Sequence, residues 1–306
     1  MQMSRITVGL LLCLVASCVA PPPPWTTELT TARVRSRDEG RDLVVFFALL
    51  GREQSDRMEA ELSDPAVLAA LLGGEFESLR LDGFAQQRLY SEWIGGGEGM
   101  GLAVLDPRGV VYCARPGPLD PLEVAALLDR CAAVRARIDA LRSVHAQNEF
   151  DAKACLDLGI ALLDLGCRVG AEPLLLQAAQ GGALDAHHRL ARLYALDGHC
   201  VRARQWLRTA LPSPQADVTL GYVEFKERQY RKAVETLASA LRQPGLGEDA
   251  LRARLYLGKA LHECGRDHEA IRIFQALVQE VPGTTFGAAA QHSLTHLQDG
   301  NHGHTH

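Results

Sequence analysis

At 306 residues the chain is long enough for about two domains. Its formal net charge of -5 leaves no electrostatic case for binding nucleic acid or an anionic membrane surface, and its 47% hydrophobic content supplies enough apolar side chains for sizeable cores. Beyond the N-terminus no apolar run reaches the length of about 18 residues that spanning a bilayer demands.

Residues 1–24 carry a targeting signal. Arg5 supplies a positive charge, and residues 6–16 form an apolar run too short to cross a bilayer. The run ends in Val15-Ala16-Ser17-Cys18, which resembles the lipobox of bacterial lipoproteins. The resemblance implies cleavage before Cys18, diacylation of its sulfur, and a protein held in the cell envelope by lipid, facing the periplasm. The rival is plain secretory cleavage after Ala20, against which Pro21 argues. Residues 21–24, four prolines, then form a short stiff tether.

Residues 25–141 predict an α/β unit. A helix over 27–39 precedes Asp42-Leu-Val-Val-Phe-Phe-Ala-Leu49, a near-continuous apolar run of the kind a buried central strand needs. Residues 51–72 are expected to be helical, with Asp64-Pro65 opening a second helix as N-cap and N1. Strands follow at 76–81, 102–106 and 110–114, the last two joined by the turn Asp106-Pro-Arg-Gly109. A closing helix over 119–137 runs on toward the second half, predicting a rigid junction.

This order resembles a thioredoxin-fold domain, as do Trp25, Ala32, Arg41-Asp42, Met58-Glu59 and Ser63-Asp64-Pro65-Ala66-Val67. In that family two active-site cysteines precede the Met-Glu pair. The corresponding positions here are Arg52 and Ser55, and the family's cis-proline position falls at about Met100. Disulfide exchange needs a thiolate lowered in pKa at a helix N-terminus and a second thiol to resolve it. Arg52-Glu-Gln-Ser55 supplies neither, so the expectation is a redox-dead domain with no catalytic residue and no cofactor. The glycine-rich stretch 95–101 lacks the Lys-Ser/Thr of a phosphate loop and carries Glu98, so it is expected to be an ordinary loop.

From about residue 148 the sequence repeats itself. Leu158, Gly159, Leu162, Gly166, Ala171, Leu175, Ala178 recurs as Leu190, Ala191, Tyr194, Gly198, Ala203, Leu207, Ala210. It recurs again as Leu220, Gly221, Glu224, Arg228, Ala233, Leu237, Ala240 and as Leu257, Gly258, Leu261, Gly265, Ala270, Phe274, Leu277. The steps are 32 (159 to 191), 30 (191 to 221) and 37 (221 to 258). Helical spacing on both sides of a short turn, at that period, is the mark of stacked helix hairpins. The pattern resembles tetratricopeptide repeats. The expected architecture is therefore a thioredoxin-like α/β domain followed by an all-α solenoid over 146–298, with four repeats, a capping helix over 284–298, and a His-rich tail at 299–306 expected to be disordered.

The resemblance implies a concave groove lined by the first helix of each repeat. From the positions the family uses, its ligand-facing residues are expected to include Lys153, His188, Arg192, Tyr222, Phe225, Arg252, Lys259 and His262. Members that grip a chaperone's C-terminal carboxylates show a basic clamp at positions that here hold Leu156 and Ile160, so that specificity is not expected. Apolar, aromatic and basic character together suit a peptide with apolar anchors and some acidic residues. Leu156 and Ile160 read equally well as packing residues.

Eight cysteines occur, two of them (Cys13 and Cys18) in the signal. Cys113, Cys131, Cys155, Cys167, Cys200 and Cys264 show no C-x-x-C or zinc-finger spacing. Cys167 and Cys200, at the turns of adjacent repeats, are the first pair to test for a disulfide. His292 and His296 lie one helical turn apart, and the tail adds His302, His304 and His306, but no Asp, Glu or Cys cluster completes a metal site. The sequence thus reads as a non-catalytic docking protein of the envelope, with a protein or peptide partner, no nucleic acid, no metal, and the membrane reached through its lipid alone. The alternative is a thiol-disulfide accessory protein using a non-standard cysteine such as Cys113; a third reading is metal handling through the His-rich tail.

Overall fold

The computed structural model describes residues 25–49, 51–73, 76–282 and 284–299. Residues 1–24, where the signal and the lipidated Cys18 are expected, and the tail histidines 302, 304 and 306 lie outside the described residues.

The N-terminal half is built on a four-stranded sheet. Helix α1 (Leu29–Glu39) stops at Gly40, whose φ of +67° gives the left-handed turn that ends a helix. Strand β1 (Leu43–Ala48) is buried at every position. Helices α2 (Glu53–Glu61) and α3 (Pro65–Gly73) then cross over to β2 (Glu77–Asp82), which pairs parallel with β1. The Asp64 side chain opens α3 by accepting the Ala66 amide at 2.8 Å. Helix α4 (Gln87–Trp93) follows, an element that the sequence reading lacks. Strands β3 (Gly101–Leu105) and β4 (Val111–Pro116) form a hairpin, and β3 pairs antiparallel with β1, so the sheet order is β2-β1-β3-β4.

Alternate side chains leave the sheet on opposite faces. Leu43, Val45, Phe47, Ala103 and Leu105 pack with Tyr90 and Trp93 of α4. Val44, Phe46, Leu102 and Val104 pack on the other side, toward α3 and the long helix α5 (Pro121–Gln147). A capping box starts α5: the Asp120 carboxylate accepts the Glu123 amide at 2.8 Å, and the Glu123 side chain returns to the Asp120 amide. The helix continues without a break to residue 147, through the position where the sequence reading ends its first domain.

Four helical hairpins follow: α6 (Ala152–Asp164) with α7 (Arg168–Gln180), α8 (Asp185–Leu196) with α9 (Cys200–Leu207), α10 (Pro214–Lys226) with α11 (Tyr230–Ala240), and α12 (Asp249–Glu263) with α13 (Asp267–Glu280). Helix α14 (Thr285–Asp299) packs on α13. The recurrent small residues sit where helices cross. A Cβ added at Gly258 would stand 2.6 Å from the Phe274 ring, and one at Gly159 3.1 Å from Leu175. Large side chains on each second helix fill the space those glycines leave.

The core under α5 does not stop at the sheet. The same cluster that holds Val44 and Tyr112 takes in Ile138, Cys155, Leu158, Leu162, Leu175 and Leu190 and ends at Tyr222 and Val223 of α10, so the sheet unit and the first two hairpins share one interior that reaches the third. A second cluster, with Val218, Leu237, Leu257, Leu261, Phe274 and Leu294, serves the last two hairpins and α14. One buried ion pair locks the junction: the Asp106 carboxylate, its side chain 0% exposed, accepts from Arg142 at 2.6 Å, and Arg142 also donates to the Val111 carbonyl at 3.2 Å.

The hairpin turns expose one local strain. Gly166, Gly198 and Gly265 turn with φ of 78°, 80° and 74°; the same place in the third hairpin holds Arg228 at φ 61°. An L side chain pays a steric penalty there, whereas glycine does not. Arg228→Gly is expected to raise stability by about 1 kcal/mol after glycine's larger unfolded-state entropy is subtracted. Urea unfolding checks this, and a lower midpoint than the parent's would contradict it.

Candidate docking face

The first helices α8, α10 and α12 lie side by side, α10 touching both others. Arg192 on α8 nevertheless reaches Asp249 at the start of α12, at 3.1 Å. The pair therefore spans α10 and ties α8 to α12 on one face of the array.

Most of the sequence-derived groove residues meet on this face. Asp249 joins Arg192 to Arg252, which it holds at 2.7 Å. Burial, and then the neighbouring Arg192 charge, lowers the Arg252 pKa. His188 is half-buried, and burial followed by the Arg189 charge holds its imidazole below the ordinary 6.5. Further along, Tyr222 and Phe225 close on Tyr256, with ring centroids 4.5 and 5.5 Å away. The Lys259 ammonium stands 5.5 Å over the Tyr256 ring, and its pKa is lowered by burial and by Lys226. Phe225, Lys259 and His262 then line an open cavity of about 440 Å³ together with Phe274, His292, His296 and Leu297. Its floor is apolar, its rim basic and imidazole-bearing, with Glu263 and Asp267 also present; His262 Nδ1 donates to the Asp267 carboxylate at 2.7 Å.

Two of the expected residues behave otherwise. Tyr222 is only 5% exposed, because the next hairpin lays Tyr256 across it, so it supports the face from beneath rather than meeting a ligand. Lys153 projects into solvent and pairs along its own helix with Asp157 at 2.9 Å, apart from the cluster around α10. Leu156 and Leu163 are half-buried against the shared core, as packing residues are. The sequence reading missed Asp249 and Tyr256. Asp249 precedes the repeat frame, and Tyr256 sits one residue beside a groove position, so a rule that counts fixed positions passes over both.

In the sheet unit, Arg52 caps α2 with extended backbone and an exposed side chain. Ser55 is buried, and its hydroxyl accepts the Leu49 amide at 2.8 Å, tying the end of β1 to α2. Met100 is buried too, its carbonyl accepting from the Tyr90 hydroxyl at 3.1 Å and the Gly117 amide at 2.7 Å. Cys113 is 0% exposed; its hydrogen bond with Cys131, then burial, pushes its thiol pKa well up. Cys167 and Cys200 are separate free thiols, not a disulfide: Cys167 is buried with its sulfur 3.9 Å from the Val111 carbonyl, and Cys200 is half-buried. His292 and His296 stack edge to face at 4.5 Å, and among the described residues no group of three or more His, Cys, Asp or Glu is placed to hold a metal ion. No described helix is long and apolar enough to cross a membrane.

No protein-family model and no curated protein matches the sequence. Among solved structures the chain is similar to one described as the crystal structure of MamA protein, at 17% identity and a TM-score of 0.38, over 59% of this chain and 96% of that one. That likeness is slight. The chain's own helices form four successive helical hairpins beside a small mixed sheet.

Proposed function

We propose that this protein is a non-catalytic docking protein whose repeat face binds an extended peptide segment of a partner. The observation that carries the reading is the cavity between α10, α12 and α14, where Phe225 and Leu297, both partly exposed, offer an apolar floor beside Lys259 and three imidazoles. An aromatic or aliphatic side chain fits the floor, and an acidic neighbour fits the rim and the Arg192–Arg252 pair. The sheet unit is a thioredoxin-like domain without redox chemistry. The crossover of β1 through α2 and α3 to β2, followed by a hairpin and a closing helix, supports the first part; Arg52 and the Ser55 hydroxyl bound to the backbone support the second. Burial of Cys113 weighs against the rival redox reading, since an exchange thiol needs exposure and a lowered pKa. Envelope localisation through a lipidated Cys18 completes the proposal. The intact mass and N-terminal peptide of the mature protein test it: a chain that starts at Cys18 with a diacylglyceryl group is expected, and an unmodified chain that starts at Pro21 would defeat it.

Docking is tested by enriching a displayed peptide library on the full chain. Enriched peptides are expected to share an apolar residue flanked by Asp or Glu. Phe225→Ala with Lys259→Glu, both at partly exposed positions, is expected to weaken them at least about tenfold, or 1.4 kcal/mol. No enrichment, or equal binding by the variant, would defeat the reading.

A further inference from the structure

A second cavity opens in the sheet unit, between α1 and the turn that joins β3 to β4, with a volume of about 370 Å³. Three guanidinium groups line it: Arg33 and Arg37 from α1, and Arg108 from the turn. Arg33 and Arg37 are four residues apart, so one face of α1 presents both. All three residues are exposed, and Thr30 adds a hydroxyl to the same lining.

The protein does little to neutralise these charges. Asp106 is the one acidic residue in the lining. Its carboxylate, 0% exposed, is engaged by Arg142 at 2.6 Å, by Arg108 at 3.2 Å and by the Arg108 and Val110 amides. Among the described residues Arg33 pairs with no carboxylate. Its guanidinium stands 5.3 Å over the Trp93 ring, a contact that positions the group without cancelling its charge. Arg37 meets only its sequence neighbour Asp38, at 3.1 Å, an exposed pair of the kind worth little in water. The chain as a whole is acidic, at -5, so an anion held here is held by these local groups and not by a general positive field.

We propose that this cavity binds a small anion carrying two or more carboxylate or phosphate groups, gripped between Arg33 and Arg37 on one side and Arg108 on the other. A guanidinium fork matches the paired oxygens of a carboxylate or a phosphate, and three forks from two elements call for more than one negative charge. The volume is that of a small-molecule site. The Asp106–Arg142 pair fixes the turn that carries Arg108, so that side of the site is formed before the ligand arrives. The inference stands apart from the docking proposal: α1 and the β3–β4 turn have no part in the face on α8 to α14, and either reading can fail alone.

The test follows the backbone amides of the full chain by nuclear magnetic resonance while citrate, and separately pyrophosphate, is added at an ionic strength held constant with sodium chloride. Saturable binding of one anion per chain is expected, with the shifts concentrated in α1 and residues 106–109. Tighter citrate would assign the site to carboxylates, tighter pyrophosphate to phosphates. Arg33→Gln combined with Arg37→Gln is expected to weaken the better anion at least about tenfold. Arg35→Gln, whose parent side chain pairs with Glu77 at 3.5 Å and does not line the cavity, is expected to bind as the parent does. No saturation by either anion below about 10 mM would overturn the proposal. So would shifts centred on α8 and α12, or equal weakening by Arg35→Gln. The shift map comes from the unaltered chain and so does not depend on a variant's folding.

Discussion

Asp106→Ala is expected to destabilise the protein by about 3–5 kcal/mol, the usual consequence of removing one partner from a buried ion pair. The carboxylate is fully buried and accepts the Arg108 and Val110 amides at 2.9 and 2.8 Å, so it forms the β3–β4 turn as well as pairing Arg142. Its loss strands a guanidinium whose pKa is already lowered by burial. Asp106→Asn keeps an acceptor for the turn and loses the charge, so its cost should be smaller. Urea unfolding measures both, and hydrogen exchange should show the second half of α5 losing protection first. A loss under about 1 kcal/mol for the alanine variant would mean that Arg142 finds water without penalty, and the junction would not depend on this pair.

Phe274→Ala should cost a similar amount, about 3–5 kcal/mol, by emptying the largest fully buried side chain of the second core. The damage should stay local. Helices α11 to α14 have their own interior, with α10 bordering both cores, so the amides of α11 to α14 should exchange early while β1 and α6 keep their protection. Gly258 sharpens the test. In the parent, Gly258→Ala drives a Cβ into the Phe274 ring, an overpacking cost of about 1–3 kcal/mol against a helix-propensity gain of about 1. In the Phe274→Ala background the clash is gone and the gain remains. The two changes should therefore cost less together than the sum of each alone; strict additivity would show that the glycine is not there to admit the ring.

What could be read from the chain follows the range of the forces involved. Helical spacing, glycine turns and the apolar run of β1 are local, and the hairpins and central strand were legible from them. Helix α4 was not: its apolar residues Tyr90 and Trp93 make one short turn of pattern between glycines at 83 and 95, too little to establish a period. The docking face was half legible. Phe225, Arg252 and Lys259 follow from position in the repeat, but whether Tyr222 is open depends on Tyr256, contributed by another hairpin. The Asp106–Arg142 pair joins residues 36 apart in sequence, and the register shift of β4 is one that no residue in that strand announces.

The two ends of the repeat array are closed by different means. Helix α14 covers the last hairpin and turns Gln291, His292, Thr295 and His296 outward, while α5 and the sheet merge into the core of the first. An array with a bare end offers the next copy a ready template, and head-to-tail addition of that kind grows into filaments when it does not close on itself. Among the described residues neither end presents an unfinished hairpin, so the described array offers no bare hairpin face as a template for end-to-end stacking.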